Sequence, residues 1–546
     1  MNNNFKIIAG AWTILGFITT FAWAGDPRIS PDLQSVKSEA PVDVIVQYKV
    51  APGSAHHQRV SSLGGALLHH MESIRGAHYR VPASRIAELA ESPDVAYISP
   101  NRSLGSMFDQ ITDGTVNSVW SNSGGVTGAG VGVAIIDSGI ADLPDFHNGS
   151  TNRIVYSQSF IGGSAADQFG HGTHVAGILA GNGNGTVYIG IAPQANIVNL
   201  RVLDANGQGT DAGVIQAIET AISLKSKYNI RVMNLSLGRP VFESAKLDPL
   251  CQAVEAAWKA GIFVAVAAGN YGRDNSMNTD GYGTIAAPGN DPLVITVGAV
   301  KSEGTTTRSD DLIASYSSKG PTLFDHYAKP DIVAPGNRVV STLPPGLTLS
   351  SQYPSNRVTG NYFTLSGTSM ATPVISGLAV LTFQYASWMA PDPVKANFMA
   401  SASKTNFPTT SVAVDPTTNL SYTSYYDIFT VGAGEVNIQT AASSTAPSAS
   451  YSASSPPVAY NSSSGKVTLQ KIGAANVVWG STVLWGTNIV WGASAVLANN
   501  VVWGSNVVWG SSSMEGFNVV WGSNVIWGAS TTDASESNTL TINGEQ

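Results

Sequence analysis

The sequence predicts an α/β protein built on an open, mostly parallel sheet with helices on both faces. A small α+β unit precedes the sheet, and a linker and a possible β-repeat follow it. Three observations carry this prediction. Between about Gly130 and Ala441, short β-branched apolar runs alternate with helical stretches. Such runs fit parallel strands buried on both faces. Upstream, residues 41–101 show strand-like alternation around a short amphipathic helix. Downstream, tryptophan recurs at multiples of six residues.

The chain opens with polar Met1–Lys6, a mostly apolar run Ile7–Phe21, and then Ala22-Trp23-Ala24. Small residues at 22 and 24 suit a signal peptidase, so residues 1–24 read as a secretory signal peptide. The apolar run is short for a membrane anchor. The expected location is secreted and extracellular, with retention at the cell surface or in a periplasm left open.

Residues 25–105 form the next unit, with a core at about 41–102. Val42–Tyr48 alternates like a strand, Ala83–Glu91 reads as a short helix, and Val95–Ile98 as a last strand before Pro100. Residues 106–441 carry the sheet. Its predicted strands are 131–136, 197–202, 232–237, 262–268 and 294–299, with helices such as 212–225 and 250–260 between them. Open α/β sheets hold their sites beyond the C-terminal ends of strands. Asp137 and Asn270 stand just past two such ends.

Residues 442–470 are rich in Ser, Ala and Pro and read as a linker. Within 471–530, Trp479, Trp485, Trp491, Trp503, Trp509, Trp521 and Trp527 are each followed by glycine, and Leu497 and Glu515 fill the two missing positions. Six is even, so a strand would keep every tryptophan on one face, whereas a helix would scatter them. Glu515 is the only charge between Gly473 and Ser530. So apolar a stretch predicts a small β-solenoid or packing against a partner that the sequence does not name. Residues 531–546 form a polar tail.

At 546 residues the chain exceeds one ordinary core. Charged residues make up 12% of it, the net charge is −8, and no run of Lys or Arg stands out. That argues against a nucleic-acid partner. The single cysteine, Cys251, allows no intramolecular disulfide. It lies in an apolar helical stretch and reads as a core residue rather than a catalytic thiol.

Three stretches carry the chemistry: Val131-Gly-Val-Ala-Ile-Ile-Asp137-Ser-Gly139, Gly170-His171-Gly-Thr-His174-Val-Ala-Gly177 and Ser366-Gly-Thr-Ser369-Met-Ala-Thr-Pro373. A carboxylate after a buried strand can fix an imidazole tautomer, and the imidazole can take a proton from a serine hydroxyl. Alone, Asp137 reads as readily as a turn residue. His171 and His174 lie three apart, a metal-ligand spacing, but no third ligand stands near. Ser369 opens a helical stretch, Met370–Trp388, with Pro373 in its first turn. A helix N-terminus supplies free N–H groups for a developing oxyanion, although a plain N-cap serine looks the same. Asn270 ends Val264-Ala-Val-Ala-Ala-Gly269-Asn270, where its amide can give a second oxyanion bond.

In this order and on this sheet, residues of about 110–441 resemble the subtilisin-like serine peptidases, the subtilase family. The resemblance implies a subtilisin-like fold and a secreted serine endopeptidase that cleaves proteins and peptides through an acyl-enzyme. Asp137, His171 and Ser369 match the family's triad, and Asn270 with the Ser369 N–H its oxyanion hole. Ser236-Leu237-Gly238 matches the edge that pairs with substrate backbone, and Gly207-Gln-Gly209 the opposite edge. Ala286 matches the base of the main specificity pocket, so medium or large apolar residues are expected before the cut. Asp145 and Asn184, with carbonyls near Asn182, Thr186 and Tyr188, match a family site for structural Ca2+; no cofactor is implied for the chemistry itself. Val374 departs from the family, which often has histidine there. Residues 41–102 resemble the family's propeptide, an intramolecular chaperone and inhibitor, with self-cleavage expected somewhere between Arg102 and Asp113.

Two other readings compete. The Trp-Gly repeat could be the working part of a surface or assembly protein, or the peptidase region could be an inactive binding module.

Overall fold

The structure is a computed structural model. It describes residues 26–34, 40–106, 126–441 apart from loop residues 277–278, 304, 306–307, 404–406, 416–417 and 439–440, and also 453–461, 466–469 and 496–497. The expected signal peptide, most of the linker, the polar tail and the Trp-Gly repeat lie outside the described residues. The exception in the repeat is Val496–Leu497, which pairs antiparallel with Lys466–Leu469. No described helix is long and apolar enough to cross a membrane.

Eight strands form the central sheet. Its order is Leu312–Ile313, Ile295–Lys301, Phe263–Ala267, Ile230–Leu235, Gly132–Asp137, Asn196–Arg201 and Ile154–Ser159, with Ile332–Pro335 also paired to Ile295–Lys301. All pairings are parallel except that of Leu312–Ile313. The five central runs are buried throughout or nearly so, which explains why they lack alternation. Helices Asp211–Tyr228 and Pro249–Lys259 pack together as one layer, and His171–Ala180 packs with Thr368–Tyr385 as another. The mixed fold with flanking helices therefore agrees with the reading from sequence.

The upstream unit is a four-stranded antiparallel sheet in the order Ala66–Met71, Gly76–Pro82, Pro41–Tyr48, Val95–Pro100. Strand Pro41–Tyr48 is buried on both sides from Val44 onward. Val44, Val46 and Tyr48 join the unit's own core with Val60 and Leu89. Ile45, on the opposite face by the two-residue period, joins the core of the larger unit with Met71 and Ile74. Gln47 Nε2 donates to the Leu247 carbonyl at 2.7 Å, and the Ser73 hydroxyl to Glu219 at 2.7 Å. The expected helix 83–91 is a 3-10 turn, Ala83–Arg85, followed by Ile86–Ala90.

Two further features depart from expectation. The helix expected over Met370–Trp388 runs from Thr368 to Tyr385 with Gly367 (φ 145°) as its cap, so Ser369 is its second residue rather than the residue that opens it. Part of the supposed linker is packed: Ala453 and Ser455 are fully buried, and Ser455 Oγ donates to Asp331 at 2.6 Å. Polar composition marked this stretch as free, but two nearby lysines and an aspartate give its serine a buried partner.

Candidate active site

The site lies along the C-terminal edge of the sheet. Asp137 ends the strand Gly132–Asp137 and is buried. Its Oδ1 lies 2.6 Å from His171 Nδ1 and also accepts the Ser138 N–H at 2.7 Å. This fixes the ring nitrogen that faces the carboxylate. His171 begins the helix His171–Ala180, whose cap, Gly170, has φ 110° in the left-handed region. Gly172 must be glycine: a Cβ there would come within 2.2 Å of the Gly139 carbonyl and 3.1 Å of Asp137 Cβ. Backbone closeness at 172 is what lets the two motifs meet.

Ser369 is buried in the first turn of its helix. Its hydroxyl donates to the Ser236 carbonyl at 2.9 Å, while Ser236 Oγ donates to the Ser369 carbonyl at 2.8 Å. A first-turn N–H such as that of Ser369 has no intrahelical acceptor. Asn270 stands beside this turn. Its Oδ1 accepts from the Thr368 N–H (3.1 Å) and Thr368 Oγ1 (2.9 Å), so the donors of its amide point the other way.

The two edges expected to hold substrate are both filled by the chain itself. Strand Ser103–Ser106 lies between Gln208–Thr210 and Leu237–Gly238, antiparallel to each. Leu104 is opposite Gly209, Gly105 opposite Gln208 and Gly238, and Ser106 opposite Leu237. Gly207 turns into this edge with φ 75°, and a Cβ on Gly209 would meet the Val202 carbonyl at 2.5 Å. Ala286 is buried with Ala267, next to Tyr271, and its N–H donates to the Ala268 carbonyl at 2.8 Å.

These placements invite comparison with known proteins. The profile of the subtilase family matches residues 128–423. The chain belongs to the subtilase family. It is similar to serine protease AprX of Bacillus subtilis (strain 168), 38% identical over 328 residues, covering 58% of this chain and 71% of that protein. It is also similar to subtilisin E of the same strain, 34% identical over 325 residues, covering 59% and 74%. This subtilase is a serine endopeptidase, a hydrolase of peptide bonds. Among solved structures, fervidolysin from Fervidobacterium pennivorans, a keratinolytic enzyme related to subtilisin, matches with a TM-score of 0.58 at 18% identity. That match covers 79% of this chain and 65% of fervidolysin, and the likeness is one of fold.

One supporting residue of the subtilase site, Asp167, escaped the sequence reading. Asp167 is buried and accepts from Ser138 Oγ (2.9 Å), the N–H groups of Phe169, Gly170 and Thr173, and Thr173 Oγ1 (2.6 Å). It welds the Asp137 and His171 loops together, and burial pushes its carboxyl above the usual range. Its signal was an Asp followed by a glycine-containing turn, where an Asp side chain commonly accepts from N–H groups two and three residues on. His174 is no metal ligand: Nε2 faces the carbonyls of Val339 (3.1 Å) and Phe363 (3.0 Å), and burial lowers it to about 3. Cys251 is buried, its thiol facing Asn290 Oδ1 at 3.2 Å and pushed up by burial.

The expected calcium residues sit together but are otherwise engaged. Asp145 Oδ1 accepts from the Tyr362 hydroxyl at 2.5 Å, which also reaches the Gly183 carbonyl at 2.7 Å. The Asp145 carbonyl accepts from Arg153 Nη2 at 2.7 Å. Asn184 is exposed, with its N–H on Asn182 Oδ1 at 2.8 Å. Among the described residues no group of three or more His, Cys, Asp or Glu could hold a metal. A calcium shell of six to eight oxygens would draw on the Asp145 carboxylate, the Asn184 amide and carbonyls near Asn182, Thr186 and Tyr188, and would have to displace the Tyr362 hydroxyl from Asp145 Oδ1.

Proposed function

We propose that this subtilase is a secreted endopeptidase that cleaves proteins and peptides through an acyl-enzyme and is made as a self-processing precursor. His171 takes the Ser369 proton as Ser369 Oγ attacks the scissile carbonyl carbon. The Ser369 N–H and Asn270 amide stabilise the oxyanion, and Asp137 steadies the imidazolium. The carbon–nitrogen bond breaks as His171 returns the proton to the leaving amine. Water then gives its proton to His171 and attacks the ester, which releases the acid and restores the Ser369 hydroxyl.

The observation that carries this reading is strand Ser103–Ser106, held as an added strand between Gln208–Thr210 and Leu237–Gly238. A chain segment bound like substrate, at the start of the stretch expected to be cut, fits a propeptide that blocks the cleft until it is severed. The Ser369 proton now faces Ser236, so the hydroxyl must rotate toward His171 before transfer.

The deciding experiment is Ser369→Ala. The variant is expected to fold, to stay full length by mass spectrometry after leader removal, and to resist a fluorophosphonate probe. Normal maturation of that variant would overturn the reading.

A further inference from the structure

The segment that fills the cleft extends one contact beyond its paired strand. Arg102 lies two residues before Leu104, and residues two apart in an extended chain share a face. Leu104 is 3% exposed and joins the peptidase-side core. Arg102 is 7% exposed. Its Nη1 donates to Glu243 Oε1 and its Nη2 to Glu243 Oε2, a two-bonded fork. The guanidinium carbon sits 4.9 Å from the centre of the Phe242 ring. The backbone is held as well: the Asp211 N–H donates to the Arg102 carbonyl at 2.9 Å, and the Ala212 N–H to Asn101 Oδ1 at 2.8 Å.

Glu243 has its cation from the cleft segment. It is 3% exposed, and its ion pair among the described residues is with Arg102. The neighbouring Arg239 is taken up by Asp211 (2.8 and 3.1 Å) and Asp248 (2.8 and 2.9 Å). Asp32 also contacts Arg102, at 3.0 and 3.1 Å, but it belongs to the upstream unit and departs with it. Departure of residues up to 106 therefore leaves a buried carboxylate and an aromatic face opening on the cleft, shaped for a planar cation.

We propose that Phe242 and Glu243 form an arginine-binding subsite of the substrate cleft. It selects peptides with an arginine two residues before the side chain that lies opposite Gly209. This rests on the proposed function, because it takes segment 102–106 as a guide to how substrate binds. Arginine is favoured over lysine because its fork matches both carboxylate oxygens and its plane stacks on a ring. Lysine would keep the charge but make one point contact.

The test uses mature enzyme and four quenched peptides copying residues 99–112, with Arg, Lys, Ala or Glu at the position of residue 102. The Arg peptide is expected to show kcat/KM at least about tenfold above Ala, chiefly through KM, with Lys between them and Glu lowest. Glu243→Gln should bring the Arg-to-Ala ratio close to one. Should that variant fail to mature, the paired exchange Arg102→Glu with Glu243→Arg keeps the precursor's own ion pair and should reverse the preference toward the Glu peptide. Equal cleavage of all four peptides by wild-type enzyme overturns the subsite. Absence of both cleavage and fluorophosphonate labelling overturns the peptidase reading instead.

Discussion

Ser236 and Ser369 hold each other twice, each hydroxyl donating to the other's carbonyl at 2.8 and 2.9 Å. The pair joins the substrate-binding edge to the turn that carries the proposed nucleophile. The chain of bonds continues from Ser236 Oγ to Asn234 Nδ2 (3.0 Å) and from Asn234 Oδ1 to Ser376 Oγ (2.8 Å). Ser236→Ala strands two buried polar groups, at a cost of about 1–3 kcal/mol. We expect a lowered Tm and a kcat/KM reduced roughly tenfold, since small misplacements of reacting groups are costly. A fall in Tm with kcat/KM per labelled site unchanged would make Ser236 structural only.

Asp331 is the hub of a second buried cluster. Lys329 Nζ lies 2.6 Å from Oδ2, and Lys395 Nζ 3.1 Å from Oδ1, all three residues being fully buried. Burial pushes the carboxyl up, but the two lysines outweigh it and hold it below its ordinary value. Asp331→Asn removes the carboxylate that both buried ammonium groups pair with. The expected loss is about 3–5 kcal/mol, read by urea unfolding of the Ser369→Ala precursor. A loss under about 1 kcal/mol would show that the ion pairs at Asp331 contribute little to stability.

Acid should loosen the upstream unit. Burial lowers His78 to about 4, below its ordinary 6.5. The folded value is depressed, so the unfolded chain binds the proton more readily. Its contribution is complete above about pH 6.5 and is lost as pH falls toward 4, by up to about 1.4 kcal/mol per pH unit. Buried Asp291, raised to about 7, works in the opposite sense and loses stability as pH rises through that value. A difference curve between the precursor and its His78→Gln variant separates the two. The slope between pH 6.5 and 4 should be shallower in the variant; parallel curves would dismiss His78.

Structural calcium at Asp145 and Asn184 is settled by a chelator. With Tyr362 and Arg153 already on Asp145, the expected Tm of the precursor is the same with and without chelator. A fall of several degrees, restored by added Ca2+ alone, would reinstate the site.

Legibility followed the range of the interactions. The five central strands and their helices were readable because burial on both faces leaves an unbroken β-branched run. Asp137, His171, Ser369 and Asn270 stood out in the sequence because each stands at an element end beside glycine or small residues. Ile332–Pro335 and Leu312–Ile313 are too short to show any period, yet both join the sheet. Arg102 and Glu243 are 141 residues apart, and no local pattern pairs an arginine with a carboxylate at such a distance. Ser455 was misread for the same reason, as its partner Asp331 lies 124 residues earlier.

That serine redraws the usable limits of the catalytic unit. The Ala328 N–H is satisfied by the Pro456 carbonyl, the Val458 N–H reaches back to His326, and the Ala453 N–H caps Asp392. Residues 453–461 thus act as a clasp across the main body. An expression boundary drawn at 441 would cut the strap and leave the lysine cluster open to water. A boundary just after 469 keeps it together with the paired strand Lys466–Leu469, and anything grafted in place of the tryptophan repeat should begin there.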